Sequence, residues 1–248
     1  MEPRPYPRLR AVARRLVELT AAPLGTLMRV ATQEPAVALT FDDGPHPEST
    51  PRLLEILERH GARGTFFMVG KAAAAQPELV TRVAAGEHAV ANHSWDHPSM
   101  PLLAGRYRRC QLRWCAAALA PHGTRLFRPP YGHQSLTSLA GTRRLGYQVV
   151  MGDVVAEDWR DDTAEQLLAR IRRRLRPGSI VLLHDALYTT VDSRFADRTP
   201  TLEAVDRLLS EEAGRLRFVT VPELLKLGQP RYWHWYLKPD LDWLRRLQ

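Results

Sequence analysis

AVALTFDDGPHP, residues 36–47, is the stretch whose reading decides the fold. Its first six residues are uncharged and apolar or β-branched, the pattern of a strand buried on both faces of a sheet. The run stops at two adjacent carboxylates, Asp42 and Asp43, and then at Gly44 and Pro45, which enforce a turn. Two packed negative charges repel, so they must share a proton or meet a cation. An exposed Asp-Asp-Gly turn is the plain structural alternative.

Outward from this stretch the same grammar repeats. Strand-like segments fall at 36–41, 65–69, 88–92, 126–128, 148–151, 180–183 and 217–221, with helical patterns between them at 50–60, 72–85, 102–119, 136–145, 163–174 and 201–214. Such alternation predicts a mostly parallel sheet covered by helices, either open or closed. The polar residues choose between the two. Acids, bases and ligand-type side chains follow five of the strands: Asp42 and Asp43, then His93 and His97, then Arg128, then Asp153 and Asp158, then His184 and Asp185. In a parallel barrel all strand C-termini open on one rim, where residues distant in sequence converge. We therefore expect an α/β barrel of seven strands.

Each cluster has a chemistry and a structural alternative. In NHSWDHP, 92–98, His93 and His97 lie four residues apart; with Asp43 they form a two-His, one-carboxylate set that leaves positions open for water and substrate. Alone, such histidines are more often explained by core or surface hydrogen bonding. In LFRPPYG, 126–132, two prolines hold the backbone extended after Arg128, and an arginine fixed in this way can clamp a carboxylate such as Asp42 through two hydrogen bonds. A rim salt bridge is the structural version of the same contact. In EDWR, 157–160, and IVLLHD, 180–185, His184 next to Asp158 has the make-up of a general acid whose charged form a carboxylate stabilises.

Composition agrees with a single large domain. The chain has 248 residues, 44% hydrophobic and 25% charged, enough to bury a sizeable core and unlike a disordered chain. Its formal charge of +8 comes mainly from arginine, with excess in the first 30 residues, at 106–113, at 170–176 and at the C-terminus. Such surfaces suit anionic lipid headgroups, phosphorylated carriers or nucleic acid. The only cysteines, Cys110 and Cys115, point to diverging faces of one predicted helix and form neither a disulfide framework nor a metal motif. We expect them to be buried as small apolar residues. No run of 18 uninterrupted apolar residues occurs, so no transmembrane helix is expected.

The order and wording of TFDDGP, HSWDH, RPPYG, DW and LLHD resemble the polysaccharide deacetylase family with the NodB homology domain, over residues 36–225. The resemblance implies a distorted (β/α)7 barrel, TIM-barrel-like. It implies hydrolysis of N-acetyl groups on a sugar such as a chitooligosaccharide, peptidoglycan, an exopolysaccharide or a lipid-linked glycan, with one divalent ion, zinc or else cobalt or nickel, held by Asp43, His93 and His97. By the same resemblance Asp42 is the general base, Arg128 orients it, the Tyr131 backbone N–H assists the oxyanion beside Trp159, and Asp158 tunes His184, which protonates the departing amine. No nucleic-acid partner is implied. The pattern is broken at Val155, where the family often carries a carboxylate, with Asp153 and Glu157 nearby instead. The polar loop between His184 and Thr201 is long enough to wall one side of the cleft. An O-acetyl esterase or deformylase using the same site, and a non-catalytic carbohydrate-binding protein, are the alternatives.

Two flanks lie outside the family pattern, so the expected organisation is a basic N-terminal extension (1–35), a catalytic domain (36–228) and an aromatic and basic C-terminal extension (229–248). Residues 8–19 have an amphipathic helical pattern that suits an anionic membrane surface or packing on the domain. The segment 230–248 places Trp233, Trp235, Tyr236 and Trp243 among basic residues, which suits a membrane interface, sugar stacking or a cap on the barrel. With no clear signal peptide, a cytoplasmic protein, or one held at the inner membrane face, is the expectation.

Overall fold

The computed structural model describes residues 25–190 and 193–242. The expected helix at 8–19 and Trp243 lie outside them. At the centre is β2 (Ala36–Asp42), buried along its whole length. It pairs in parallel with β3 (Gly64–Met68) on one side and with β8 (Ile180–His184) on the other. The sheet continues through β4 (Ala89–Asn92), β5 (Gly123–Phe127) and β6 (Gln148–Val149) at one end and β7 (Val154–Val155) at the other, in the order β6-β5-β4-β3-β2-β8-β7. Every pair on this path is parallel, and the sheet curls into the expected distorted barrel.

Alternation along β2 assigns its two faces. Val37, Leu39 and Phe41 join the large cluster that packs against the helices, while Ala36 and Ala38 belong to the inner cluster with Phe67, Ala91, Leu126, Val150 and Ile180. By that alternation Thr40 and Asp42 share the inner face. The outer layer is made by α1 (Ser49–Arg59), α2 (Gly70–Ala75), α3 (Pro77–Ala85), α4 (Gly105–Ala118), α5 (Leu136–Arg144), α6 (Ala164–Arg172), α7 (Ser193–Ala196) and α8 (Thr199–Glu211), followed by the single turn α9 (Val221–Leu224). Leu53, Leu54 and Leu57 of α1 and Leu202, Val205, Leu208 and Leu209 of α8 fill the same cluster.

Four expectations need correction. The helix expected over 72–85 is two, α2 and α3, because Pro77 cannot continue the first and starts the second at its N1 position. The polar loop after His184 contains the helical turn α7. The strand expected at 217–221 shrinks to β9 (Arg217–Phe218), which pairs only with the first two residues of β2; Thr220 then caps α9, accepting a hydrogen bond from the Glu223 N–H. Its place on the path goes to β7, a two-residue strand.

Residues 229–233 are not an appendage. They form β10 (Gln229–Trp233), antiparallel to β1 (Thr26–Ala31). Through β1 this ribbon bridges the segment after β6 and the start of β8: the Met151 N–H donates to the Leu27 carbonyl (2.9 Å) and the Val30 N–H to the Gly178 carbonyl (2.9 Å). Gly178 has a φ of 81°, and a Cβ there would lie 1.8 Å from the Val30 carbonyl oxygen, so only glycine permits the approach.

Candidate active site

The parallel register brings the chemical groups to one level. Asp42, the last residue of β2, is the Cα partner of Phe67 in β3 and of His184 in β8. One step beyond, Asp43 adopts a left-handed backbone (φ 77°), as do Ser94 (φ 71°), His97 (φ 59°) and Tyr131 (φ 58°). Only Glu87 and Glu157 share this among the other described non-glycine residues, and Glu157 precedes Asp158. Such conformations cost about 1–3 kcal/mol each and persist where the surroundings over-determine them. Here they aim side chains into the rim.

Asp43, His93 and His97 are buried, and their ligand-type atoms converge. Asp43 Oδ1 lies 3.3 Å from His93 Nε2 and 3.1 Å from His97 Nε2, and the two nitrogens are 3.2 Å apart. His93 Nδ1 is 2.8 Å from the Arg128 carbonyl oxygen, an acceptor, so the proton sits on Nδ1 and the Nε2 lone pair faces the carboxylate. Asp43 Oδ1 is buried and accepts no hydrogen bond among the described residues, whereas Oδ2 accepts the Tyr188 N–H at 3.0 Å. A lone pair facing an orphaned carboxylate oxygen is repulsive unless a cation lies between them. Ligands of a tetrahedral ion at about 2.0–2.2 Å are about 3.3–3.6 Å apart, close to this triangle, so the residues fit a divalent ion. Burial works to raise the Asp43 pKa, but His97 and His93 outweigh it and hold the carboxyl well below the usual carboxylate range. Burial also lowers the His97 pKa, against Asp43. Anionic Asp and neutral His are the states a metal requires.

Asp42 is held from inside the barrel. Arg128 is 1% exposed, and its Nη1 donates to Asp42 Oδ1 (2.6 Å) and to Thr40 Oγ1 (2.8 Å). Its Nη2 donates to the Met151 carbonyl (2.6 Å), and the guanidinium lies over the Phe67 ring at 4.2 Å. The two-pronged clamp expected from sequence is thus a single strong contact, the other donors being taken by backbone and hydroxyl.

The acid side is a second cluster, in which Asp158 is buried and His184 half-buried. His184 Nδ1 is 2.8 Å from Asp158 Oδ1, and the His184 N–H donates to Asp158 Oδ2 at 2.9 Å. Burial lowers the His184 pKa, but the charge and hydrogen bond of Asp158, with help from Asp43 and Asp42, raise it overall. Sequence reasoning missed Arg198. Buried in the loop after α7, it donates through Nη2 to Asp158 Oδ2 (2.6 Å), to the Asp158 carbonyl (2.9 Å) and to Thr201 Oγ1 (2.6 Å). Trp159 is 42% exposed with its ring edge-on to His184, centroids 5.4 Å apart.

Other predicted residues divide. Tyr131 packs edge-on against His97 with ring centroids 4.4 Å apart. Its turn (Pro130–Gly132) is buttressed from β10's side, where Trp235 Nε1 donates to the Gly132 carbonyl at 2.9 Å. Asp185 serves the fold: its side chain accepts from the Gly44 N–H (3.1 Å) and from Thr50 Oγ1 (2.5 Å), anchoring the turn after Asp43. Burial pushes its carboxyl up to about 7. Asp153 is not on this rim. It precedes β7 and accepts from the Ile180 N–H (3.0 Å) at the opposite end of β8, because the chain enters a strand at Val154 that sequence did not reveal. Cys115 is buried and Cys110 half-buried, both as free thiols.

Comparison with known proteins agrees with this geometry. Residues 29–150 match the family model described as polysaccharide deacetylase. A chitooligosaccharide deacetylase of Azorhizobium caulinodans is 37% identical over 65% of this chain and 79% of its own length. Among solved structures, a peptidoglycan N-acetylglucosamine deacetylase superposes with a TM-score of 0.77 at 25% identity, over 87% of this chain and all of that one. A pseudoenzyme of carbohydrate esterase family 4 from Bacillus anthracis superposes with a TM-score of 0.71 at 26% identity, over 82% and 69%. Fold, rim geometry and these likenesses coincide, and the chain belongs to the polysaccharide deacetylase family.

Proposed function

We propose that this protein is a metal-dependent hydrolase that removes N-acetyl groups from an N-acetylated glycan, a chitooligosaccharide or peptidoglycan strand. One observation carries the reading: Asp43 Oδ1, His93 Nε2 and His97 Nε2 form a buried triangle with an orphaned carboxylate oxygen, next to Asp42, whose strand partner is His184. Because a pseudoenzyme shares the fold, the argument rests on this donor set rather than on likeness. The two-His, one-carboxylate set suits zinc, with cobalt or nickel as substitutes. When bound, such an ion lowers the pKa of water and polarises the amide carbonyl.

The chain's own groups complete the hydrolysis. Asp42, fixed by Arg128, accepts the proton of the attacking water. The Tyr131 backbone N–H serves the oxygen on which charge develops. His184 then gives a proton to the amide nitrogen as the C–N bond breaks, leaving free amine on the sugar and acetate. An amine is a poor leaving group unless protonated, whereas an ester alkoxide is less demanding. The Asp158–His184 pair, with Arg198 behind it, therefore supports amide over ester chemistry. Trp159, exposed beside His184, is placed to stack on a sugar ring.

The test is acetate release from soluble chitooligosaccharide and from peptidoglycan fragments, with added zinc or cobalt. Activity lost on chelation and in Asp42→Asn is the expected result. Tight glycan binding with no acetate released would refute the reading, and faster release from O-acetylated sugars would assign the esterase alternative.

A further inference from the structure

The distribution of charge on this chain is one-sided. Residues 97–152 contain eight arginines and no Asp, Glu or Lys. They account for the whole formal charge of +8, because the rest of the chain balances 27 basic against 27 acidic residues. Arg128 is buried in the site; the other seven lie on α4, on β5 and on α5, and α4 packs beside α5. On the balanced side of the molecule arginines meet acids, as in Arg59–Asp206, Arg207–Glu165 and Arg217–Glu34. On α4, Arg106 instead lies over the ring of Tyr107.

Large apolar side chains stand among these arginines. Arg106, Arg109 and Arg113 are exposed at helical spacing along one stripe of α4, and Tyr107 (50% exposed) and Trp114 (52%) form the adjoining stripe. Leu102 and Leu136, each 54% exposed, lie just before α4 and at the first residue of α5. A groove of about 380 Å³ runs between the two helices, floored by Leu112, Ala140 and Leu145 and flanked by Arg109 and Arg144.

We propose that the α4–α5 face docks on a lipid bilayer containing anionic phospholipid. Charge complementarity supplies long-range attraction, since the face is arginine-rich and carries no carboxylate of its own. The exposed leucines and aromatic rings separate a bilayer from a soluble polyanion: they gain by entering the headgroup and acyl boundary and gain nothing on a phosphate backbone. In each βα unit the helix starts from the C-terminal end of the preceding strand, so α4 and α5 both begin at the rim that carries Asp42 and His93. Docking on this face brings the mouth of the cleft close to the lipid surface, within reach of glycans tethered there. The inference concerns a surface separate from the catalytic groups and stands whichever acyl group is hydrolysed.

Sedimentation of the full chain with vesicles tests it. Binding to phosphatidylcholine vesicles containing phosphatidylglycerol, weakened by added salt and absent with phosphatidylcholine alone, is expected. A basic residue at such a surface contributes roughly fivefold to partitioning, so Arg106→Gln, Arg109→Gln and Arg113→Gln together should lower it about a hundredfold. Leu102→Ser with Leu136→Ser should also lower it, while Arg215→Gln on the balanced face should not. Unchanged circular dichroism and thermal unfolding report that each variant is folded. Undiminished partitioning of the triple variant, or equal losses in Arg215→Gln, overturns the proposal. Tighter binding to duplex DNA than to anionic vesicles at the same salt also overturns it, in favour of nucleic acid.

Discussion

Replacing Asp158 by Asn takes a full negative charge away from His184 and leaves a hydrogen-bond acceptor in its place. In the native chain Asp158 Oδ1 is 2.8 Å from His184 Nδ1. Charges whose centres are about 4 Å apart interact by about 4 kcal/mol at an effective dielectric constant of about 20. Arg198, 2.6 Å from Asp158 Oδ2, offsets part of that charge but not all of it, so the His184 pKa falls in the variant. Burial, which already pulls His184 down, then goes unopposed by its main partner. His184 works as an acid, so activity is lost as pH rises through its pKa, and in Asp158→Asn the alkaline limb of kcat/KM moves to lower pH. Arg198→Met acts oppositely. Without the guanidinium the Asp158 charge bears on His184 in full, and the limb moves up. The assay is the pH profile of acetate release with metal in excess. Asp158→Asn leaves a buried guanidinium without its counter-charge, a cost of several kcal/mol, so the double variant Asp158→Asn/Arg198→Met is measured beside it and should keep the lowered limb. Coincident alkaline limbs in the parent and these variants, or both single variants moving the same way, would refute the reasoning.

Three further outcomes follow from the geometry. Arg128→Met strands the buried Asp42 carboxylate and removes donors from Thr40 and the Met151 carbonyl, so denaturant unfolding should show a loss of about 3–5 kcal/mol along with loss of activity. Gly178→Ala forces a Cβ against the Val30 carbonyl at positive φ; a loss of about 2–3 kcal/mol is expected, with acetate release at low temperature largely retained because the site lies at the opposite end of the barrel. Zinc at a hundredfold excess over its Kd should raise unfolding stability by about 2.7 kcal/mol in the parent and leave Asp43→Asn almost unchanged, read as the difference in Tm.

What the sequence disclosed and what it withheld follow the range of the signals. The 36–47 stretch announced a buried strand ending in chemistry, and Asp42, His93, Arg128 and His184 came together because each ends or directly follows a strand and parallel strands end together. A two-residue strand has no periodicity to detect, so β7 was invisible, and Asp153 was placed on the wrong end of the sheet as a result. Arg198 is 40 residues from Asp158, in a polar loop where an arginine ordinarily faces water, and nothing local marks it as buried. The backbone acceptor for His93 is similarly hidden: residue types name candidate ligands, but which nitrogen faces the ion depends on where the Arg128 carbonyl falls. The aromatic tail left a membrane interface, sugar stacking and a cap on the barrel open, and the support that Trp235 gives the Tyr131 turn is seen only once β10 is found against β1.

That β1–β10 pairing has a consequence for the order of events during synthesis. Thr26 pairs with Trp233, so the ribbon joins segments made before and after every βα unit of the sheet. While the chain is still growing, β1 can dock along Val150 and Ser179 but has a bare second edge until residues 229–233 emerge. Long-range pairings of this kind form late, because the loop they close is long. The Gly132 carbonyl and the Gln134 side chain receive their Trp235 partners in the same step. A nascent chain can therefore assemble the metal-ligand triangle before Trp235, which supports the Tyr131 turn, has been made.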